Sequence, residues 1–319
     1  MKVLISFILS LFLVGQGFAN DPASDMATAA NHLLDSLDSD KRNKALFAWA
    51  DKERENWHFF PGTFIKPNGR MGLSFKDMNS AQRTLAHTLL GSALSHRGHI
   101  EASTIILLEQ ILFEKEGKEM RNPDLYHIAI FGQPDHAGTW GWRFEGHHLS
   151  LNFSLVNGRV FSITPSFWGA SPAKVTEGKH AGLRVLSDEE TMAFKFLKSL
   201  SPPQKKMAIL SDKPPRDIYS GQDNTINRAN FMPPQGLPIT KMNSRQKAWL
   251  EELVQVYSAK HRHEAIEQIT SRNPLLDPQE TFFAWAGGLT PTSGHYYRIQ
   301  TPKFLFEYAN TQNNVNHVH

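Results

Sequence analysis

Two stretches of this chain carry side chains that do chemistry. The first is Trp140-Gly141-Trp142-Arg143-Phe144-Glu145-Gly146-His147-His148-Leu149-Ser150-Leu151-Asn152. On an extended backbone alternate residues share a face, so Arg143, Glu145 and His147 form one row and His148, Ser150 and Asn152 the opposite one. The pattern does not decide which row faces a cleft, and Gly146 reads as a bulge that would re-aim one histidine. The second stretch runs from Glu307 through Asn310-Thr311-Gln312-Asn313-Asn314 to His317-Val318-His319. His-x-His on an extended chain puts both imidazoles on one side, a spacing that suits two ligands of one ion. The amides upstream would contact a substrate or hold the imidazoles in one tautomer. His295, preceding Tyr296-Tyr297-Arg298, reads as a neighbour on an adjacent strand.

Taken together, these residues suggest one divalent ion held by His147 or His148 with His317 and His319, and with His295 nearby. Glu145 or Glu307 would be the general base or fourth ligand, and Arg143 or Arg298 would orient an anionic or carbonyl group. A three-ligand site with an open position lowers the pKa of bound water toward neutrality and supports hydrolysis. Zinc fits such a thiolate-free site better than copper. Each stretch taken alone reads more readily as packed strand or polar tail than as a site. Two competing functions go with that. One is a non-catalytic binding protein with a platform of Trp140, Trp142 and Trp168 for a small molecule, sugar or peptide; the other is a metal carrier that needs no base.

Composition narrows the field. The 319 residues contain no cysteine, which removes disulfides, thiolate nucleophiles and cysteine-ligated metals together. Thirty-four Lys and Arg against 31 Asp and Glu leave a formal charge of +3, too small for a nucleic-acid footprint. No G-x-G-x-x-G, P-loop or G-x-S-x-G is present, so no nucleotide cofactor and no serine-hydrolase elbow are expected. His263-Glu264 lacks the second histidine of a zincin, since position 267 is Glu267; His261 and His263 read as a solvated helix face. Lys2, the apolar run Val3 to Val14 and Gly17-Phe18-Ala19 read as a secretory signal over 1–19. That predicts an exported, periplasmic or secreted protein with no stable membrane anchoring after cleavage.

The elements that must position these residues follow from periodicity. Helical spacing is expected from Met26 to about Trp49, from a cap at Asn79 or Ser80 through Leu94, and from Glu101 to Glu116 before Gly117. Short strands follow at Leu125–Phe131, Thr139–Phe144, His147–Phe153 and Arg159–Ile163, with Asn157-Gly158 as a hairpin turn. Ser187-x-x-Glu190 reads as a capping box for a helix that Pro202-Pro203 ends. A long loop or flap spans 211–238, and Asn243 caps another helix. Strands return at Thr281–Ala286, His295–Gln300 and Lys303–Tyr308. The expected class is α+β in one domain over 20–319, a mostly antiparallel sheet that the C-terminal hairpin closes, with helices from the N-terminal third and the middle packed on it.

At these residues the chain resembles the bacterial domain-of-unknown-function family 3500. The resemblance is carried by Trp142 to Asn152 and Glu307 to His319, with Phe167-x-Gly169-Ala170-x-Pro172-Ala173, Gly182-Leu183-Arg184 and Tyr296-Tyr297-Arg298-Ile299-Gln300 between them. It covers nearly the whole chain after residue 19 and implies no assigned activity. Ala309 stands where the resemblance leads one to expect an acidic residue, and the sequence stops at His319 where members usually continue.

Overall fold

The structure, a computed structural model, describes residues 21–66, 69–221 and 233–319. The signal read over 1–19 and residues 222–232 of the expected loop lie outside the described residues. The chain begins with α1 (Pro22–Asp35), capped by the Asp21 carboxylate, and α2 (Ser39–Ala45), capped by Asp38. The single helix expected as far as Trp49 is therefore two, because a second Asp cap restarts the chain after Ser36. After β1 (Leu46–Phe47) and β2 (Leu73–Ser74) come α3 (Ser80–Ala93), with a reciprocal Asn79–Gln82 capping box, and α4 (His96–Glu116). Helix α4 ends at Gly117 in the left-handed region, φ 62°.

The first sheet adds β3 (His127–Phe131), β4 (Thr139–Gly146), β5 (Leu149–Val156), β6 (Arg159–Ser162) and β7 (Ser166–Trp168). Its order is β1-β3-β4-β5-β6, with β2 beside β3 and β7 beside β5. Asn157 and Gly158 both have positive φ, the twist a two-residue hairpin turn requires. Helices α1 and α3 cover one face, where Met26, Leu33 and Leu90 pack with Ile128, Trp142 and Phe144. Trp140 and Trp142 are at most 1% exposed, so they belong to this core and form no ligand platform.

A second sheet forms from the rest of the chain: α5 (Ser187–Ser199), α6 (Pro202–Ala208), β8 (Ile209–Ser211), β9 (Leu237–Pro238), α7 (Ser244–Ser258), α8 (His263–Thr270), β10 (Phe282–Gly287), β11 (His295–Gln300) and β12 (Leu305–Asn310). Its order is β12-β11-β10-β8, with β9 beside β10. The class is α+β, with the strand pairs mostly antiparallel and one parallel pair in each sheet, β1 with β3 and β8 with β10. The C-terminal hairpin does not close the first sheet. Its Tyr297, Ile299 and Tyr308 bury against Phe194, Leu250 and Leu253 of α5 and α7, and that apolar layer demands a sheet of its own.

Local signals were also reassigned. Ser187 is the first residue of α5 rather than its cap, and Glu190 turns inward instead of closing a box. Pro202 and Pro203 open α6, where Ser201 and Gln204 make the box. His261 is 3% exposed, paired with Leu94 before α8 begins, whereas His263 is exposed beside Glu267. No helix among the described residues is long and apolar enough to cross a membrane.

The two sheets are stitched together by the last residues. After β12 the chain reverses and Val318 pairs with Ala170, just beyond β7, through two hydrogen bonds of 2.9 Å. His319 pairs in the same way with Ala309 at the end of β12. The reversal uses three consecutive left-handed residues, Asn313, Asn314 and Val315, at φ 49°, 56° and 61°. Asn316 N closes the turn by donating to Gln312 O at 3.1 Å.

Candidate metal centre

This stitch carries the His-x-His pair to the hairpin between β4 and β5. Gly146 pairs with Leu149, so His147 and His148 are the two residues of the turn and not part of either strand. Gly146 is no bulge. The Tyr126 ring lies where its Cβ would be, and Tyr126 OH donates to His147 O at 2.6 Å. His148 has φ 64°, a conformation costly for a residue with a Cβ, and backbone bonds hold it there: its N donates to Phe59 O and its O accepts from Gly169 N. Gly169 also admits the tail, since a Cβ at that position would meet Val318 O at 3.0 Å and His148 Cδ2 at 3.1 Å.

Three imidazoles converge there. Ligand nitrogens of His148, His317 and His319 lie within 4.8 Å of one another, and His148 Nε2 is 2.8 Å from His317 Nε2. Each ring is held from behind through Nδ1. His148 Nδ1 meets Glu109 Oε1 at 2.8 Å, His319 Nδ1 meets Asp217 Oδ1 at 2.7 Å, and His317 Nδ1 meets the Asn313 amide at 3.2 Å. An acceptor on Nδ1 holds the proton there and leaves the Nε2 lone pair to face a cation, as the carboxylates do for His148 and His319. As drawn, Asn313 donates to His317, His317 Nε2 donates to His148 Nε2, and His148 donates to Glu109. Turning the Asn313 amide over exchanges its donor for its acceptor and frees both Nε2 lone pairs. Two nitrogens on one tetrahedral zinc lie roughly 3.3 Å apart, so the pair has to open by about half an ångström.

The electrostatics suit neutral ligands. Burial, with the neighbouring His147, lowers the His148 pKa to about 3, and burial with His148 and His319 lowers that of His317 to about 2. Burial raises the Glu109 carboxyl, but hydrogen bonds from His147 and His148 outweigh it and hold it at about 2. Asp217 is likewise lowered, its burial outweighed by His319. His147 stacks on His148 at 3.7 Å between ring centres, with its Nδ1 2.9 Å from Glu109 Oε1 and 3.0 Å from Arg121 Nη1. One nitrogen cannot donate to the carboxylate and accept from the guanidinium at once, so these contacts are alternatives. Glu109, His147 and His148 are a second group that could hold an ion, but Arg121 already places a positive charge beside it, Nη1 lying 3.4 Å from Glu109 Oε1.

The other expected site residues lie elsewhere. Glu145 sits in a buried cage, touching Arg70 and Arg143 and accepting from His58 N at 2.7 Å and Ser150 Oγ at 2.9 Å. Arg143 also pairs with Glu53. Glu307 accepts from Tyr219 N, Ser220 N and Tyr296 OH, and Arg298 lies opposite it on β11. His295 is fully buried with Nε2 3.1 Å from Glu190 Oε1. It reaches the centre only indirectly: Asn310 donates to Glu190 and accepts from His317 N at 3.2 Å.

The profile of the family described as Protein of unknown function (DUF3500) matches residues 19–319, essentially the whole chain. The chain belongs to this family. No curated protein and no solved structure matches it.

Sequence reasoning missed Glu109 and Asp217. Glu109 had a signal: it follows Leu108 and stands one turn after Ile105 on the apolar face of α4, where an acid needs a partner. Asp217 had none, since its partner is 102 residues away. Beside the centre a cavity of about 910 Å³ opens between the two sheets, and His319 and Glu307 are both in its wall.

Proposed function

We propose that this protein is a metal-dependent enzyme of the hydrolase type, exported as its first residues suggest, with one divalent ion on His148, His317 and His319. The observation that supports it most is the convergence of three imidazoles whose Nδ1 atoms are already engaged by Glu109, Asn313 and Asp217. Neutral imidazoles without thiolate favour zinc, with copper second. Three protein ligands leave a position open, and an ion there would acidify a bound water. Of the two acids expected as base, Glu307 shares the cavity wall with His319, whereas Glu145 is enclosed by guanidiniums. Glu307 is therefore the acid–base candidate.

The test is elemental analysis of untagged protein purified without chelator and then offered zinc. About one equivalent should be retained, and His317→Ala/His319→Ala should retain almost none. Zinc-loaded protein should hydrolyse p-nitrophenyl acetate in a chelator-sensitive manner that the double variant lacks. Less than about a tenth of an equivalent would overturn the metal centre at the affinities structural and catalytic zinc sites reach. Full metal without chelator-sensitive turnover would leave a carrier.

A further inference from the structure

The cavity between the sheets has a chemistry of its own. Its walls are aromatic, with Trp57, Phe167, Trp168 and Phe304 among them, and its volume is in the range that holds a drug-sized molecule. Its inner end is polar and incompletely satisfied. Glu189 is 3% exposed; its Oε1 is paired with Lys260 Nζ at 2.5 Å, but its Oε2 has no hydrogen-bond partner among the described residues. Lys260 is itself 1% exposed, bonded to Glu101 Oε2 at 2.7 Å and lying 4.8 Å from the centre of the Trp168 ring. His261 lines the same end, its Nε2 bonded to Ser166 and its Nδ1 without a partner among the described residues. Carboxylates in the wall, Glu189, Glu280 and Glu307, outnumber the cations Lys260 and Lys303, and Lys260 is shared with Glu101, which Arg97 also pairs. A buried acceptor lacking a donor costs about 1–3 kcal/mol, and a ligand N–H or O–H would remove that cost.

We propose that this cleft binds a molecule with a flat apolar body and a hydrogen-bond-donating, preferably cationic, head, the body lying among Trp168, Phe167 and Phe304 and the head meeting Glu189. That the far end of such a molecule is what the centre at His319 acts upon rests on the metal reading. Binding in the cleft does not, so it is tested with chelator present.

The probes are 2-(1-naphthyl)ethylamine, 2-(1-naphthyl)ethanol and 1-naphthylacetate, titrated against the full chain by naphthyl and tryptophan fluorescence. The amine should bind about tenfold more tightly than the acid, with the alcohol between them, a difference of about 1.4 kcal/mol. Glu189→Gln should bring amine and acid to near equality, and Phe304→Ala should weaken all three together. An acid that binds as well as the amine to the unaltered protein overturns the proposal without any variant having to fold. So does the absence of binding at millimolar probe, or a Glu189→Gln protein that keeps the full amine preference. Failure here with retained zinc would leave the metal centre standing, and the converse would leave the cleft.

Discussion

Glu109 and Glu145 are two glutamates at 1% and 2% exposure, one on α4 behind the β4–β5 turn and the other at the end of β4. Both carboxyls are held below their ordinary range against the upward push of burial, yet by different partners. Around Glu145 the compensation comes first from the Arg143 and Arg70 charges, which never leave. Around Glu109 it comes from His147 and His148, neutral rings that donate one nitrogen and keep the other for something else. A guanidinium cage makes a lock, whereas an imidazole pair makes a relay with an open end. On the proposed metal reading, the chemistry of the partner, not the burial of the acid, separates the structural carboxylate from the one that supports a ligand.

Removing the acid from each should therefore give opposite phenotypes. Glu145→Gln leaves Arg70 buried without its anion and Arg143 with Glu53 alone, and breaking a buried pair in this way costs about 3–5 kcal/mol. Chemical denaturation should show that loss, with metal retention by the folded fraction unchanged. The sign with pH follows from the lowered carboxyl. The stability it contributes is complete above the ordinary glutamate pKa of 4.5 and is lost as pH falls through the lower folded value, a slope the variant should lack. A Glu145→Gln protein as stable as the parent would show that the cage is not a lock.

Glu109→Gln should be the milder change for the fold and the harsher one for the ion. The amide oxygen still accepts from His148 Nδ1, but the charge that makes the ring a better ligand is gone. Loss of such a partner typically costs 10–100-fold in metal affinity. Competition against a chelator of known affinity would measure it. A variant that loses stability as Glu145→Gln does while holding zinc as tightly as the parent would place both acids in the same structural role.

The contrast also marks where the sequence was readable. Periodicity found α3, α4 and α7 with their Asn and Gly ends, because those signals are local. The histidine pairs were recognisable because a polar ring amid apolar strands needs a partner. The row assignment failed, since His147 and His148 occupy a turn rather than a pleated strand, and period-two reasoning does not extend through a left-handed residue. His295 was drawn to the centre by its neighbours in sequence, but β11 is paired so that it faces Glu190 across the helix-covered side of the second sheet. The partners that define the centre, Glu109 and Asp217, come from a helix and a loop that no periodicity links to the tail. The pairings of Val318 with Ala170 and of His319 with Ala309 bring them together.

That pairing depends on the left-handed turn at 313–315, the strained counterpart of the well-satisfied Glu145 cage. Asn313 and Asn314 tolerate positive φ, but Val315 is β-branched at φ 61° and partly exposed. Replacing it with asparagine, which visits this region at lower cost, should stabilise the protein by about 1 kcal/mol, at the low end of what one such residue stores. Metal affinity should stay the same, because His317 is fixed by Asn310 and Asn313 rather than by the Val315 side chain. If Val315→Asn instead weakened the metal while raising the melting temperature, the strain would be holding the His-x-His pair in place, and the relay would depend on backbone tension as well as on its hydrogen bonds.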